Sequence, residues 1–214
     1  VLLDVDGTLV DSNDAHARAW VRALAEHGVT VPYEKVRSLI GKGGDKLLPE
    51  VAGSDADSPK GKAISERRGT IFQTEFLPAL RPFPKAAELL ARMKRQGLRL
   101  GIASSAKDDE LRALLEICGA SELVTASTSS EDAGNSKPDP DIVRSALERI
   151  HLRAEETILL GDTPYDVEAG TRSNVAVIAL RCGGWNDSDL AGAIRVYDSP
   201  ADLLEHFDES PFAC

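Results

Sequence analysis

The chain has 214 residues, 42% of them hydrophobic and 28% charged, enough for one ordinary domain plus a modest second one and incompatible with a disordered or collagen-like chain. Its 35 acidic residues against 25 basic ones give a formal net charge of −10, which repels phosphodiester backbones and argues against nucleic acid as a partner. No run approaches the roughly 18 apolar residues of a membrane span, so no membrane partner is expected, and Cys118, Cys182 and Cys214 form no CxxC pair or disulfide framework, which fits a reducing, cytoplasmic setting.

In chain order, Val1–Val5 is a continuous apolar run with the length of a buried strand. Its abrupt start, without an initiator Met, leads to the expectation of a few native residues ahead of Val1. The run closes on Asp4-Val5-Asp6-Gly7-Thr8. From Asp11 to about Pro82 helical patterns follow one another with no convincing strand. They are Asn13–His27, ending at Gly28, short segments at Pro32–Leu39 and Asp45–Val51, and a longer helix opened by Ser58-Pro59 that reaches Phe76. A stretch of roughly 70 residues is far too long for a strand-to-strand crossover. Residues 12–81 therefore read as an inserted helical domain, with hinges at Val10–Ser12 and at Leu77–Pro84, where three prolines stiffen the return.

Beyond the insertion, apolar runs at Leu98–Ala103, Glu122–Thr125, Thr157–Leu160, Val175–Leu180 and Ile194–Val196 alternate with helical patterns. The helices are expected at Pro84–Gln96, Glu110–Cys118, Asp139–Ile150 and Pro200–Phe207. Short apolar runs separated by helices are the pattern of a parallel α/β sheet, so residues 1–11 and 82–214 are expected to form one α/β core.

The residues able to do chemistry stand at the ends of the strand runs. In an extended chain residues i and i+2 share a face, so Asp4 and Asp6 can point into one crevice. Two carboxyls that close raise the cost of ionising both, which suits one as an anionic nucleophile and the other as a proton donor. Gly7 lets the backbone turn sharply there. Ser104 and Ser105 offer hydroxyls and N–H groups to an anion, Lys137 precedes a helix in Ser136-Lys137-Pro138-Asp139-Pro140, and Asp162 and Asp166 lie in the strand-to-helix turn Gly161-Asp162-Thr163-Pro164-Tyr165-Asp166. Each piece alone has a plainer reading as a turn, an N-cap, a solvated lysine or a helix cap. Together they fall at one edge of the expected sheet, where open α/β folds bind ligands. Asp4, Asp6, Asp162 and Asp166 meeting one lysine would repel each other without a counterion. Oxygen-only ligation, with no His or Cys cluster, suits Mg²⁺.

The order Asp-x-Asp-Gly-Thr, strand-terminal Ser, Lys-Pro and Gly-Asp-x-x-x-Asp resembles the haloacid dehalogenase superfamily. It is similar to the branch with a helical cap after the first motif, which includes phosphoglycolate-phosphatase-like and β-phosphoglucomutase-like enzymes, and the resemblance covers essentially the whole chain. It implies a Rossmann-like three-layer core with a parallel sheet in the order 3-2-1-4-5 and a small all-helical cap that closes over the site. By that resemblance Asp4 is the nucleophile that forms an aspartyl-phosphate and also a Mg²⁺ ligand. Asp6 protonates the leaving alkoxide, then activates water, and holds the metal through its carbonyl. Ser104 hydrogen-bonds the transferring phosphoryl group, Lys137 offsets charge on Asp4 and the phosphate, and Asp162 is the direct acidic metal ligand, with Asp166 supporting it or ligating too. Dehalogenases of the superfamily lack the second aspartate of the first motif, so Asp6 favours phosphoryl transfer.

The resemblance is less explicit in the cap. His16, on the first helix with Arg18 and Trp20, is similar to a mutase-like histidine that orients the nucleophile or acid, and it fits equally a histidine on a wet helix face. The basic loop Gly41-Lys42-Gly43-Gly44-Asp45-Lys46 lacks Walker spacing. In this branch such a loop enters the site on closure, so Gly41, Lys42 and Lys46, with Thr8 and Ser105 of the core, are expected to contact substrate. Mutase-like members carry an arginine where this chain has Gly44, which favours hydrolysis. Gly183-Gly184-Trp185 and Val196-Tyr197-Asp198 read as packing and loop. The expected function is a Mg²⁺-dependent phosphatase, a monomer or weak dimer, acting on a small phosphorylated metabolite such as a sugar phosphate or phosphoglycolate. The alternatives are a β-phosphoglucomutase-like phosphotransferase and a non-catalytic module that binds a phosphorylated ligand.

Overall fold

The computed structural model of the chain describes residues 1–213, so the expectation for Cys214 lies outside the described residues. The chain divides into two compact units, Ser12–Leu80 and a second made of Val1–Asp11 with the chain from Arg81 onward.

Ser12–Leu80 contains α1 (Asn13–Glu26), α2 (Tyr33–Arg37), α3 (Gly44–Ala52) and α4 (Pro59–Ile71), and no strand among the described residues. The apolar stripe of α1, with Ala15, Ala19, Trp20 and Ala23 buried, belongs to a helix that packs on α4 and α2. The start of α4 follows its sequence signals: Pro59 takes the first helical position, and Ser58 Oγ accepts the Gly61 amide at 3.0 Å. The helix then widens into a π-type turn, Phe72–Phe76, which carries it to the expected end.

The second unit is built on six parallel strands, β1 (Leu2–Leu3), β2 (Gly101–Ala103), β3 (Ala126–Thr128), β4 (Ile158–Gly161), β5 (Ala176–Leu180) and β6 (Arg195–Tyr197), in the order β3-β2-β1-β4-β5-β6. The order 3-2-1-4-5 is therefore present, with a sixth strand beyond it. Between and after the strands run α5 (Ala86–Arg95), α6 (Asp108–Ile117), α7 (Asp141–Ile150), α8 (Pro164–Arg172) and α9 (Pro200–Glu205). Leu2, Leu159 and Val177, aligned by strand register, join one cluster with Ile142, Ala146 and Ile150 of α7 and Val167 of α8. Their strand neighbours Leu3, Ile102, Leu160 and Ile178 alternate to the opposite face and are also completely buried. A parallel sheet buried on both faces is the three-layer arrangement that the continuous apolar runs require.

One strand lies elsewhere than expected. The apolar residues of Glu122–Thr125 do not form β3, because the amides of Leu123 and Val124 turn back onto the Ala120 carbonyl at 2.8 and 3.2 Å. Thr125 reaches the sheet only through its amide on Leu100, at 2.7 Å, and the strand proper is the more polar Ala126–Thr128. Local turn bonding claims the run that hydropathy assigns to the ladder.

Ser58→Ala removes the side-chain acceptor at the head of α4 and is expected to destabilise the fold by about 1 kcal/mol, measured as a lowered urea midpoint with an unchanged m-value.

Candidate active site

β1 lies at the centre of the sheet between β2 and β4, so the loops leaving the carboxyl ends of these strands are neighbours. Asp4 follows β1 directly, and its amide donates to the Leu160 carbonyl of β4 at 2.9 Å. The chain then turns back on itself, with the amides of Leu9 and Val10 donating to the Val5 carbonyl at 2.9 and 3.0 Å. This turn returns Thr8 to Asp4. The Thr8 hydroxyl is fully buried and shares its one proton between Asp4 Oδ2, at 3.1 Å, and Asp162 Oδ1, at 2.9 Å. Thr8, expected to touch substrate, sits between two carboxylates.

The other oxygen of Asp4 belongs to Lys137. Its ammonium donates to Asp4 Oδ1 at 2.6 Å and to Asp166 Oδ1 at 2.7 Å. The plainer reading of Lys137 as a solvated loop lysine fails, because its side chain is 1% exposed. Asp166 has two tasks. Its Oδ2 accepts the amide and hydroxyl of Thr163 at 3.0 and 2.7 Å, closing a reciprocal cap at the start of α8, while Oδ1 serves Lys137. Thr163 is a participant that the sequence reading passed over, although Thr-x-x-Asp spacing at a helix start signals such a cap.

Ser104 is buried at the end of β2, where its Oγ accepts the Ala106 amide at 3.0 Å and its own amide donates to Thr128 of β3 at 3.1 Å. It caps no helix, since α6 begins after Lys107. The neighbouring Ser105 Oγ is buried and has no hydrogen-bond partner among the described residues. Asp6 is half-buried two residues past Asp4, and its charge bears on that carboxyl.

Burial dominates the electrostatics. It pushes the Asp4 carboxyl up to about 7; Lys137 opposes the shift, and the charges of Asp166 and Asp6 add to it. Burial also works against the charge on Lys137, but Asp166 and Asp4 outweigh it and hold the ammonium above its ordinary range. Asp4, Asp162 and Asp166 each bring a carboxylate oxygen within 4.8 Å of the others, all buried. Three carboxylates against one ammonium leave excess negative charge, and a hard divalent cation suits such an oxygen set. Both oxygens of Asp166 are engaged, by Lys137 and Thr163, and so are both oxygens of Asp4, by Lys137 and Thr8.

The remaining expected site residues belong to the helical unit. His16 is not on a wet face: it is buried and stacks on Phe72 with ring centroids 3.9 Å apart, whereas Arg18 is exposed. Gly41, Lys42 and Lys46 are half-buried, with Lys42 ion-paired to Glu50 and Lys46 4.0 Å from Asp45. Gly44 opens α3 against the Trp20 ring, where an added Cβ would lie 3.3 Å from ring carbons.

Known proteins resemble the chain along most of its length. The profile of a family described as haloacid dehalogenase-like hydrolase matches residues 1–180. A phosphoglycolate phosphatase from Rhodospirillum rubrum is 27% identical over 212 residues, covering 95% of this chain and 88% of the relative. A hydrolase from Pseudomonas syringae superposes with a TM-score of 0.90 at 28% identity, over 97% of both chains. CbbY from Rhodobacter sphaeroides, solved in complex with phosphate, gives 0.80 at 27% identity over 94% of each chain.

A folded acid whose pKa stands above its ordinary 3.8 prefers its proton, so Asp4 favours the fold below that value and this contribution is lost as the pH rises towards about 7. A bound divalent cation offsets that loss. Added Mg²⁺ is therefore expected to raise the thermal midpoint more at about pH 7.5 than at about pH 5, and an equal rise at both would contradict this charge balance.

Proposed function

The chain belongs to the haloacid dehalogenase-like hydrolase family, and on that premise we propose that it is a Mg²⁺-dependent phosphatase of a small phosphomonoester. The observation that carries the reading is the convergence of Asp4, Lys137, Asp162 and Asp166, from three separated stretches of chain, into one buried hydrogen-bonded group. A structural role alone gives little reason to bury an acid cluster with excess charge.

The proposed reaction begins with in-line attack of an Asp4 carboxylate oxygen on phosphorus. The ester P–O bond breaks as the Asp4–phosphorus bond forms, and Asp6 gives its proton to the departing alkoxide. Water then attacks phosphorus, Asp6 takes its proton, and inorganic phosphate leaves with Asp4 restored. Hydrogen bonds to both oxygens of Asp4, from Lys137 and Thr8, fix the nucleophile in one orientation before substrate arrives. Ser104 accepts a hydrogen bond at its oxygen and so keeps its proton to donate to a phosphoryl oxygen. Lys137 offsets the charge that develops on the transferring group. Mg²⁺ held by Asp4, Asp6 and Asp162, with Asp166 behind them, would supply charge neutralisation of the phosphoryl oxygens.

For the substrate, we take a phosphoglycolate- or sugar-phosphate-sized ester, in line with the phosphoglycolate phosphatase among the relatives. Glycine at 44, where mutase-like members carry an arginine, supports hydrolysis over the mutase alternative; an added Cβ there would lie 3.3 Å from the Trp20 ring. In this reading the helical unit Ser12–Leu80 is the cap, and His16, Gly41, Lys42 and Lys46 shape its preference for the leaving group.

A panel of phosphomonoesters with and without Mg²⁺ tests the assignment. Asp4→Asn is expected to lower phosphate release by a factor of about 10³ or more while leaving ligand binding largely intact. Isomerised monophosphate formed from an added bisphosphate, in place of free phosphate, would favour the mutase. Turnover on no ester would favour a binding module. Lys42→Ala and Lys46→Ala are expected to change the ranking of substrates through KM, and equal losses of kcat on every ester would remove both residues from substrate selection.

A further inference from the structure

The loop after β5 reads in the sequence as packing, but it encloses one of the acids. Arg181–Gly183 forms a single tight turn. Its outer side is tied by Arg181, which pairs with Asp187 at 2.6 Å and Asp198 at 2.7 Å. Its inner side is tied by Cys182, whose thiol donates to the Gly7 carbonyl at 3.4 Å. A little further on, Trp185 meets Tyr165 edge to face at 6.0 Å. Between these anchors Gly183 is buried against Asp162. A Cβ built on Gly183 would lie 1.7 Å from Asp162 Oδ2 and 2.4 Å from Cγ, so the carboxylate occupies the volume a side chain at 183 would need.

The backbone does not require glycine here. Gly184 has a positive φ of 91°, but Gly183 is not among the residues with positive φ. Close approach to Asp162 is what demands it.

From this geometry we propose that Gly183 is a positioning residue for divalent-cation binding. It leaves room for the Asp162 carboxylate to lie between the Thr8 hydroxyl, on Oδ1 at 2.9 Å, and the Gly183 backbone, against Oδ2. The inference deepens the preceding assignment and rests on its metal site. A methyl group at 183 would also lie 2.6 Å from Asp162 Cβ, on a loop anchored at both sides, so the whole Asp162 side chain has to shift, losing the Thr8 bond and moving the ligand oxygen away from those of Asp4 and Asp166. Residues that orient a metal ligand without touching the metal typically change affinity by about 10- to 100-fold.

The test titrates the metal-stripped protein with Mn²⁺ and follows the EPR signal of the free aqua ion, a readout independent of turnover. Gly183→Ala is expected to bind Mn²⁺ about 10- to 100-fold more weakly than the unaltered chain, and Asp162→Ala more weakly still. If Gly183→Ala binds as tightly as the unaltered chain while Asp162→Ala does not, the positioning role is overturned and the metal site stands. If Asp162→Ala also binds normally, the metal site itself is overturned. Should Gly183→Ala fold poorly, the double variant Asp162→Gly/Gly183→Ala decides: with the Cβ of residue 162 gone as well as its carboxylate the methyl has room, so its thermal midpoint is expected to match that of Asp162→Gly. A double variant as unstable as Gly183→Ala alone would place the conflict elsewhere and overturn the proposal.

Discussion

The structure is organised around the burial of mutually repelling carboxylates beside a single ammonium. Two unit charges within 4.8 Å of each other repel by at least about 3 kcal/mol at an effective dielectric of 20, so three ionised acids this close do not gather unaided. Lys137 makes the group tenable by bridging Asp4 and Asp166, and the reciprocal cap at α8 and the Thr8 hydroxyl donate further hydrogen bonds to it. No local stretch of chain supplies these parts together. Asp4 comes from the end of the central strand, Asp162 from just past the strand beside it, Asp166 from the first turn of α8, and Lys137 from the connection leading into α7. The parallel sheet is what makes residues 133 positions apart hydrogen-bond partners. Fold and site are in this sense one requirement: the order β2-β1-β4 sets the acids side by side, and the lysine makes that closeness tolerable.

Much of this was legible in the sequence because each part carries a local mark. Asp4 and Asp6 share a strand face by simple alternation, Asp162 and Asp166 flank a recognisable helix start, and uninterrupted apolar runs announce a sheet buried on both faces. What stayed hidden depends on contacts between distant segments. Lys137 has no hydrophobic neighbourhood in sequence that foretells a side chain 1% exposed. His16 sits between Ala15 and Ala17 with Asp14 and Arg18 beyond them, yet it is covered by Phe72, from another helical segment. Strand β3 was displaced because turn bonds onto Ala120 outcompete the ladder for Leu123 and Val124, and hydropathy does not weigh that choice. The role of Gly183 was invisible for a related reason: paired glycines after a strand look like slack, and only the position of Asp162 shows that the missing side chain is occupied space.

Oxygen chemistry and charge also narrow the reaction. A buried set of carboxylates is a poor place for an anionic phosphate ester unless positive charge joins it, so cation and substrate are complementary occupants of such a group. The burial that raises the Asp4 carboxyl to about 7 makes its ionised form, the one the proposed reaction needs, depend on that added charge.

The shared hydrogen bond of Thr8 has a mechanical consequence. A hydroxyl owns one hydrogen, and here it is split between Asp4 and Asp162, so either carboxylate can strengthen its hold only at the expense of the other. The two are yoked: a rotation at one is felt at the other through a single atom, like two pans hung from one beam.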